Sequence, residues 1–407
     1  MTFKVKTKGQ NEGENLAVPK LRFKEFKNEW DEINFKKLLS FKNGINSDKD
    51  SYGHGIKYIS VVDILNNIYI TYDKIKGFVD INDKTLKENS VEYGDIVFQR
   101  SSETFNDIGQ ANVYLDKEKI ATFGGFVIRG KKIGNYNPLF FNYLLKSPCN
   151  RKKIIVKGAG AQHYNISQEE LEKISVNFTN MDEQEKIGDF LTLLDKKIEL
   201  QQRKIDALKI YKKGLIYKLL NSEESSTWKS VKLNCILKEG SKARVLDTSK
   251  YQKMNIKLNL NGLSKNNSNK EMADTRPFYI RNLNEIIIGK QNYFNGSIAI
   301  VTKEFDGCIC SNAIMSFSVK RDNPKYIYYY ISQMDYIRRR EFLANGTGQK
   351  ELSEKEFLNF EINLPNISKQ NYIVNILDSI DCKVNIENLT YINLQNMKKS
   401  LLQQMFI

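Results

Sequence analysis

Few residues in this chain are suited to catalysis or to metal binding. Its 407 residues include two histidines, His54 and His163, and five cysteines, of which Cys308 and Cys310 are separated by one residue. That spacing is too short for a zinc-ligand pair, and two histidines leave few general bases of the usual kind. We find no phosphate-binding loop, nucleophile elbow or HExxH motif. The sequence therefore favours binding over catalysis and predicts no metal site.

The composition narrows the kind of partner that the chain binds. The formal net charge is +15, and a basic excess on a globular protein suggests a phosphate polymer as partner. Coding bias is the alternative, because lysine far outnumbers arginine and both Asn and Ile are abundant. The cysteines are odd in number and mostly scattered, and no apolar run approaches the ~20 residues that span a bilayer. We therefore expect a cytoplasmic protein.

The elements that must position any binding residues occur twice. Residues 137–220 align with residues 323–406 without a gap, and Trp30 and Trp228 begin similar segments further upstream. This predicts two copies of a domain-plus-helix unit related by an approximate two-fold axis. The matched pairs include Asn137/Asn323, Tyr143/Tyr329, Gly160/Gly346, Asp195/Asp381, Lys212/Lys398 and Leu215/Leu401.

A heptad pattern ends each copy and predicts a helix of about 38 residues, roughly 57 Å long. Such a helix needs a partner, and we favour antiparallel packing against the other copy in the same chain over pairing between chains. Gln201 and Glu387 would then lie near the centre and fix the register, or they are polar positions that a wet seam tolerates. The seam residues are Ile187, Leu191, Leu194, Ile198, Gln201, Ile205 and Leu208, with Ile373, Leu377, Ile380, Val384, Glu387, Tyr391 and Leu394 in the second copy.

The segment before each heptad pattern has mixed secondary-structure signals. In the first copy, short β-rich runs punctuated by Gly, Asn and Asp precede a single helix predicted from Pro138 to Lys153. A polar linker, 221–227, joins the copies. The Gly/Ser/Asn/Lys-rich stretch 259–269 is a loop that faces either DNA or plain solvent.

Several blocks of the first copy occur in one known family. They are Gly44-Ile45, Gly55–Ile59, Asp63-Ile64, Gly94–Arg100 and Gly109, followed by Ile166-Ser167, Glu170-Leu171 and Gln184. Two divergent α/β domains, each followed by a similar long helix, resemble the DNA-specificity subunit of Type I restriction-modification systems. The resemblance covers nearly the whole chain.

The resemblance implies a mixed α+β fold. Two α/β target-recognition domains, related by pseudo-two-fold symmetry, would be separated by two long antiparallel coiled-coil helices. The expected boundaries are a disordered lead-in at 1–18, the first recognition domain at 19–180, the first conserved helix at 181–221, the second recognition domain at 222–366 and the second conserved helix at 367–407.

The resemblance also implies a function. The divergent domains would recognise the two halves of a bipartite, asymmetric sequence in double-stranded DNA. The chain would direct methylation and restriction by two modification (methyltransferase) subunits and by restriction (motor-nuclease) subunits, without catalysis of its own. It would hold no cofactor, because S-adenosylmethionine, ATP and Mg²⁺ are expected on the partners. Two alternatives stay open: a coiled-coil scaffold with two protein-binding domains, and a stand-alone DNA-modifying enzyme.

Candidate DNA contacts come from loops that flank the matched blocks. Arg or Lys pairs with guanine and Asn or Gln with adenine, whereas contacts to phosphate only position the protein. For each candidate, the alternative is an ordinary solvated side chain; Arg338–Arg340, opposite Lys152 and Lys153, could face phosphate, a partner or solvent. The candidates are Lys42, Asn43, Lys49, His54, Arg100, Ser101, Lys157, Gln162 and His163 in the first copy, and Lys242, Arg244, Arg276, Arg281, Lys290, Gln291, Gln349 and Lys350 in the second.

Overall fold

The chain folds into two compact units. The computed structural model describes residues 3–5, 17–160, 163–221, 226–266, 276–343 and 351–407. Unit 1 comprises Met1–Arg203 together with Leu389–Ile407, and unit 2 is the contiguous segment Lys204–Asn388. Within the described ranges, no helix is both long enough and apolar enough to cross a membrane.

Unit 1 is built on a four-stranded antiparallel sheet with smaller sheets around it. Its strands are β1 (Phe3–Val5), β2 (Leu21–Phe23), β3 (Asp31–Asn34), β4 (Leu39–Asn43), β5 (Tyr52–Ile59), β6 (Gly77–Val79), β7 (Ile96–Gln99), β8 (Ser101–Ser102), β9 (Ala111–Val113), β10 (Thr122–Phe123), β11 (Val127–Lys132), β12 (Tyr164–Asn165) and β13 (Ser175–Phe178). The main sheet has the order β4-β11-β7-β9, and β13 pairs with β3. Every residue of β7 is buried, as expected for a central strand that is covered on both faces.

Among the helices of this part of the chain, one that the sequence predicts is two helices in the structure. They are α1 (Val61–Asn66), α2 (Asp83–Glu88), α3 (Pro138–Lys146), α4 (Pro148–Ile155), α5 (Gln168–Glu172) and α6 (Met181–Leu220). The single helix predicted from Pro138 to Lys153 is wrong, because the chain breaks at Ser147, which is extended at φ −66°, ψ 144°. Pro148 lacks an N–H and disfavours helical geometry in the residue before it, so it ends one helix and begins the next.

Unit 2 repeats this arrangement. Its strands are β14 (Lys229–Lys232), β15 (Leu237–Glu239), β16 (Met254–Ile256), β17 (Leu263–Lys265), β18 (Phe278–Ile280), β19 (Ile286–Gly289), β20 (Ile298–Ile300), β21 (Ile309–Ser311), β22 (Ile314–Val319) and β23 (Glu361–Leu364). The helices that follow α6 are α7 (Leu233–Ile236), α8 (Pro324–Ile331), α9 (Met334–Arg338), α10 (Glu354–Leu358) and α11 (Ile367–Gln404). The main sheet has the order β15-β22-β19-β20, which is the order of unit 1 with each strand replaced by its counterpart. The mixed α+β class with two repeated domains and two long helices is thus confirmed.

The end of each long helix completes an aromatic or aliphatic core. In unit 1, Met405 and Phe406 follow α11 and are buried in the main core. The ring of Phe406 lies 6.2 Å from that of Trp30 and 5.6 Å from that of Phe140. In unit 2, Leu220 at the end of α6 is buried with Leu233 in the corresponding core. Residue 220 aligns with residue 406 in the repeat, so the two cores are closed in the same way.

Candidate DNA interface

Unit 1 has a cavity of about 300 Å³, here called the first cleft, at one edge of its main sheet. Strands β4 and β7 both run antiparallel to β11, so their C-terminal ends lie at the same edge. Asn43 ends β4, and Arg100 directly follows β7. Lys157 and the residues that begin α5, Ser167 and Gln168, line the rest of the cavity. The sheet therefore brings together Asn43, Arg100 and Lys157, three of the predicted DNA contacts.

A tight return of the chain holds Lys157 beside Arg100. The backbones of Ala159 and Asn165 exchange two hydrogen bonds of 2.9 Å, and the Ile166 N–H donates to the Arg100 carbonyl at 3.0 Å. Gly160 lies at φ +141°, and a Cβ there would lie 2.0 Å from the carbonyl oxygen of His163. The turn therefore needs glycine, which explains why the repeat keeps one at this place.

The charges in the first cleft are partly satisfied within the protein. The Arg100 guanidinium donates to the Gly125 carbonyl at 3.2 Å. The Lys157 ammonium lies 3.5 Å from the Glu170 carboxylate, which also bonds to Lys173. Lys173, followed by Lys157, lowers the pKa of Glu170. Glu170 is therefore a carboxylate at neutral pH and restrains Lys157 at the rim.

Unit 2 has a larger cavity of about 830 Å³, the second cleft, at the corresponding edge. Strands β15 and β19 both run antiparallel to β22, and Lys242 and Lys290 follow them. The Lys242 ammonium lies 2.8 Å from Glu239 and 2.9 Å from Glu354, and Lys290 lies 3.7 Å from Glu354. Hydrogen bonds to Glu239 and Glu354 raise the pKa of Lys242. Lys242 is therefore a cation held against two carboxylates, and Lys290 lies beside one of them.

Arg281 requires a correction to its expected role. Its side chain is 3% exposed, although the residue lines the second cleft. The guanidinium donates to the Ser241 carbonyl at 3.1 Å and to Cys310 Sγ at 3.0 Å. A guanidinium that is buried and already hydrogen-bonded cannot extend to a base edge. We therefore assign Arg281 to the wall of the cleft rather than to base recognition.

Those of the remaining candidates that the structure describes lie outside the two clefts. Lys42 is half-buried and donates to the Glu88 carbonyl at 3.1 Å, and exposed His54 lies 3.7 Å from Asp80. Ser101 donates to the Asn165 side chain. Lys49, His163, Arg244, Arg276 and Gln291 are exposed. Gln162, Gln349 and Lys350 lie outside the described residues. Contact of these residues with DNA stays a prediction.

One pair of cleft residues was missed by sequence reasoning. Gln168 and Glu354 occupy matched positions, each directly after the serine that caps its helix. The amide of Gln168 is placed to donate to the Phe41 carbonyl at 3.0 Å, whereas the carboxylate of Glu354 faces two lysines. The signal was available, because the alignment places a neutral residue opposite an acidic one at a position that follows a shared serine.

Within each unit, segments of the two long helices run antiparallel. In unit 2, Lys204 pairs with Glu387 at 2.6 Å, and Lys212 pairs with Asp381 at 2.5 Å. The partner's number falls as the lysine's number rises, which defines the antiparallel direction. Every predicted seam residue, from Ile187 to Leu208 and from Ile373 to Leu394, is buried or half-buried.

A triad of Tyr, Asp and Lys occurs once in each unit. In unit 2, the Tyr329 hydroxyl donates to Asp381 at 2.8 Å, and the Lys212 ammonium contacts the same carboxylate and lies 4.8 Å from the Tyr329 ring centroid. The tyrosine comes from α8, the aspartate from α11 and the lysine from α6. Lys212 lies four residues after Leu208, where the heptad spacing continues and an apolar residue would be expected. The contact with Asp381 explains why a lysine occupies this position.

The triad of unit 1 has the same geometry, but here α6 provides the aspartate and α11 provides the lysine. Tyr143 of α3 donates to Asp195 of α6 at 2.7 Å, and Lys398 of α11 lies 2.5 Å from Asp195. Asp195 is 3% exposed, so its charge is compensated almost entirely by these two groups. Burial, and then the charge of Asp195, raises the pKa of Tyr143 far above its usual range. The hydroxyl therefore remains a hydrogen-bond donor.

No metal-binding group of three or more His, Cys, Asp or Glu residues occurs in the ranges that the structure describes. His54 and His163 are both exposed, and each lies on a loop or strand edge of unit 1. The clefts present amide, guanidinium and ammonium groups, which suit hydrogen bonding to base edges and phosphates.

Comparison with known proteins gives consistent matches over most of the chain. The family model described as the Type I restriction modification DNA specificity domain matches residues 27–209 and 225–396. A Methanocaldococcus jannaschii protein, named as the type I restriction enzyme MjaX specificity subunit, is 25% identical, with 93% of each chain covered.

Solved structures share the fold. The Type I restriction-modification S subunit from M. genitalium has a TM-score of 0.57 at 17% identity, covering 96% of this chain and 99% of that one. A chain from a structure of complex assembly and conformational transition in the type I R-M system has a TM-score of 0.54 at 12% identity, covering 92% and 96%.

Proposed function

The chain belongs to the family of Type I restriction modification DNA specificity proteins, and from this premise we propose that it recognises a split, asymmetric DNA target for partner subunits. A DNA-specificity subunit of this kind contributes target recognition to a multisubunit complex. The finer proposal concerns how the two units divide that task.

One observation carries the proposal: the two clefts lie at matched sheet edges but have different linings. The first cleft has Asn43, Arg100 and Gln168, whereas the second has Lys242, Lys290 and Glu354. Different donors and acceptors at base edges select different bases. Each unit would therefore recognise its own half-site, and the whole target would be asymmetric.

The repeated helices would provide the attachment for partners. A surface that occurs twice in similar form suits two copies of one partner, which we propose are two modification (methyltransferase) subunits, with restriction (motor-nuclease) subunits joining that assembly. Catalysis, S-adenosylmethionine, ATP and Mg²⁺ would belong to those partners, and this chain would be a non-catalytic subunit. It would act in the cytoplasm, on double-stranded DNA.

The test is methylome sequencing of cells that express this chain with a cognate modification subunit, compared with cells that lack only this chain. We expect methylation at one split, asymmetric motif that disappears without the chain. Replacing residues 229–322 with those of a relative should change one half of the motif and leave the other half intact.

Point substitutions give a finer version of the same test. Arg100→Gln should relax the motif in the half recognised by unit 1, and Lys290→Gln in the other half, because each is placed in one cleft. Unchanged methylation after removal of the chain, with an active modification subunit present, would rule out the specificity role and favour a scaffold. Methylation by this chain alone would instead indicate an enzyme.

A further inference from the structure

Glu354 lies beside both lysines that we propose as DNA contacts in the second cleft. Its carboxylate is shared by the two lysines of the second cleft, at 2.9 Å from Lys242 and 3.7 Å from Lys290. The side chains of Glu354 and Lys290 are 25% and 26% exposed, so this pair is partly shielded from water. Lys242, the closer partner of Glu354, is 59% exposed.

The carboxylate is not needed to cap its helix. Ser353 Oγ accepts from the Glu356 N–H at 3.2 Å, and the Glu356 carboxylate accepts in return from the Ser353 N–H at 3.1 Å. The hydrogen bonds of this capping box at the start of α10 are made by Ser353 and Glu356 and do not include the Glu354 carboxylate. The Glu354 carboxylate instead forms ion pairs with the two lysines of the cleft.

A carboxylate and a DNA phosphate compete for the same ammonium groups. A phosphate that approaches Lys242 and Lys290 competes with Glu354 for these ammonium groups, and the carboxylate repels that phosphate. The sequence-independent part of DNA binding is therefore reduced in unit 2. Contacts of these lysines to base edges are reduced less, because a neutral base is not repelled by the carboxylate.

Resting on the proposed function, we propose that Glu354 is a specificity-determining residue: it occupies Lys242 and Lys290 until DNA phosphate displaces it, which lowers affinity for non-target DNA. Displacement of Glu354 by a DNA phosphate is favourable only when base contacts in the second cleft add to the binding energy. Unit 1 has the neutral Gln168 at the matched position, and its cleft lysine, Lys157, is paired with Glu170 instead, so the two units differ in where the carboxylate lies.

The first experiment compares wild type and Glu354→Gln, each in complex with the modification subunit, on a random-sequence fluorescent duplex across a sodium chloride titration. We expect the variant to bind the random duplex about five- to tenfold more tightly at low salt, with a slope of log K against log salt steeper by about 0.9 per phosphate gained. Affinity for a duplex with the methylated motif should change less, so the ratio of the two affinities falls.

Two further variants serve as controls. Glu239→Gln removes the other carboxylate bonded to Lys242 but leaves Lys290 and Glu354 paired, so we expect a smaller gain. Gln168→Glu adds a further carboxylate to the first cleft, which already contains Glu169 and Glu170, and should weaken binding to the random duplex. Because Gln168 is the natural residue at the matched position of unit 1, the temperature of thermal unfolding of Glu354→Gln should stay close to that of wild type.

The outcomes separate this inference from the proposed function. A wild-type complex that binds no DNA would contradict the proposed function itself. If wild type binds but Glu354→Gln has the same affinity and salt slope, the inference is wrong. It is also wrong if Glu239→Gln has an equal effect, which would indicate a general charge effect. A change in the methylated bases with unchanged affinity for random DNA would assign Glu354 to direct base contact instead.

Discussion

At the scale of single residues, the most informative groups are the charges that interrupt the apolar seam. Lys212 and Lys398 occupy matched heptad positions where an aliphatic side chain would be expected. Each instead contacts an aspartate that also accepts a hydrogen bond from a buried tyrosine. A buried charge that loses its partner is costly, so these triads favour one register of the helices over its neighbours.

The triad of unit 1 leads to a prediction about stability. Asp195→Ala should lower the free energy of unfolding by about 3–5 kcal/mol, because it leaves the Lys398 ammonium without its carboxylate in a largely buried place. Denaturant unfolding followed by circular dichroism measures this. Asp189→Ala, at an exposed position of the same helix, should stay within about 0.5 kcal/mol of wild type. Equal effects of the two substitutions would contradict the assignment.

Lys146 predicts a dependence of stability on pH. Burial, together with the nearby Lys398 charge, lowers the pKa of Lys146 to about 7 in the folded protein, against about 10.4 when unfolded. Between these values the unfolded chain binds more protons, so stability rises with pH; the cost of the buried charge is complete below pH 7. Lys146→Met should remove this rise.

The measurement is urea unfolding of wild type and Lys146→Met at several pH values between 6 and 11. The difference in unfolding free energy should favour the variant most at the acidic end and shrink as the pH approaches the unfolded pKa. Lys152→Met, at an exposed position of α4, is the control and should run parallel to wild type. A constant difference for Lys146→Met would argue against the lowered pKa.

Prediction of individual binding residues was limited because the sequence does not show which side chains are buried. Asn43, Arg100 and Lys157 were selected from loops beside matched blocks, and the structure brings them into one cavity. Arg281 was selected in the same way, yet its guanidinium is buried against Cys310. Whether an arginine points into solvent or into the protein depends on strands that are distant in sequence, and no local pattern reports it.

At the scale of elements, the long helices were the most predictable part of the chain. The heptad pattern from about Asp182 to Leu220 corresponds to α6, which spans Met181–Leu220. Periodicity over many turns averages out local exceptions, whereas the break at Ser147 depends on a single proline. The order of strands in the main sheets could not be predicted, because it depends on pairings between distant segments whose sequences have diverged.

The residues after α11 predict a strong effect on unit 1. Phe406→Ala should destabilise unit 1 by about 3–5 kcal/mol, because a fully packed aromatic ring beside Trp30 and Phe140 is replaced by a cavity. Hydrogen exchange should then increase in β3, which directly follows Trp30, and in α3, which contains Phe140. Met397→Ala, at an exposed position of the same helix, is the matched control. Faster exchange confined to α11 would contradict the expectation.

At the scale of the whole molecule, the charge of +15 predicts that DNA binding depends on salt. If the complex neutralises about six phosphates, its affinity for a random duplex should fall roughly a thousandfold between 50 and 200 mM salt. Fluorescence anisotropy across that range tests it, with sucrose at matched osmolality as the control. Affinity that does not change with salt would favour the scaffold alternative over DNA recognition.

The repeat in the sequence was sufficient to predict two similar halves and a mixed α+β class. It could not predict which residues close each core. Leu220 and Phe406 align with each other, and both are apolar positions near helix ends, which is equally consistent with a solvent-facing end. Their burial follows from tertiary packing against strands of the main sheets, and sequence periodicity contains no information on that packing.

The position of Phe406 has a consequence for how the protein is made. Unit 2 is contiguous and can fold once Asn388 has left the ribosome, but the core of unit 1 needs Met405 and Phe406. Unit 2 lies between the two segments of unit 1 in the sequence. At about 5–20 residues per second, its synthesis takes roughly 10–40 s. During that interval the nascent unit 1 exposes an apolar surface around Trp30. The core of unit 1 is therefore completed only after all of unit 2 has been synthesised, and chaperones would be expected to bind the N-terminal half during translation.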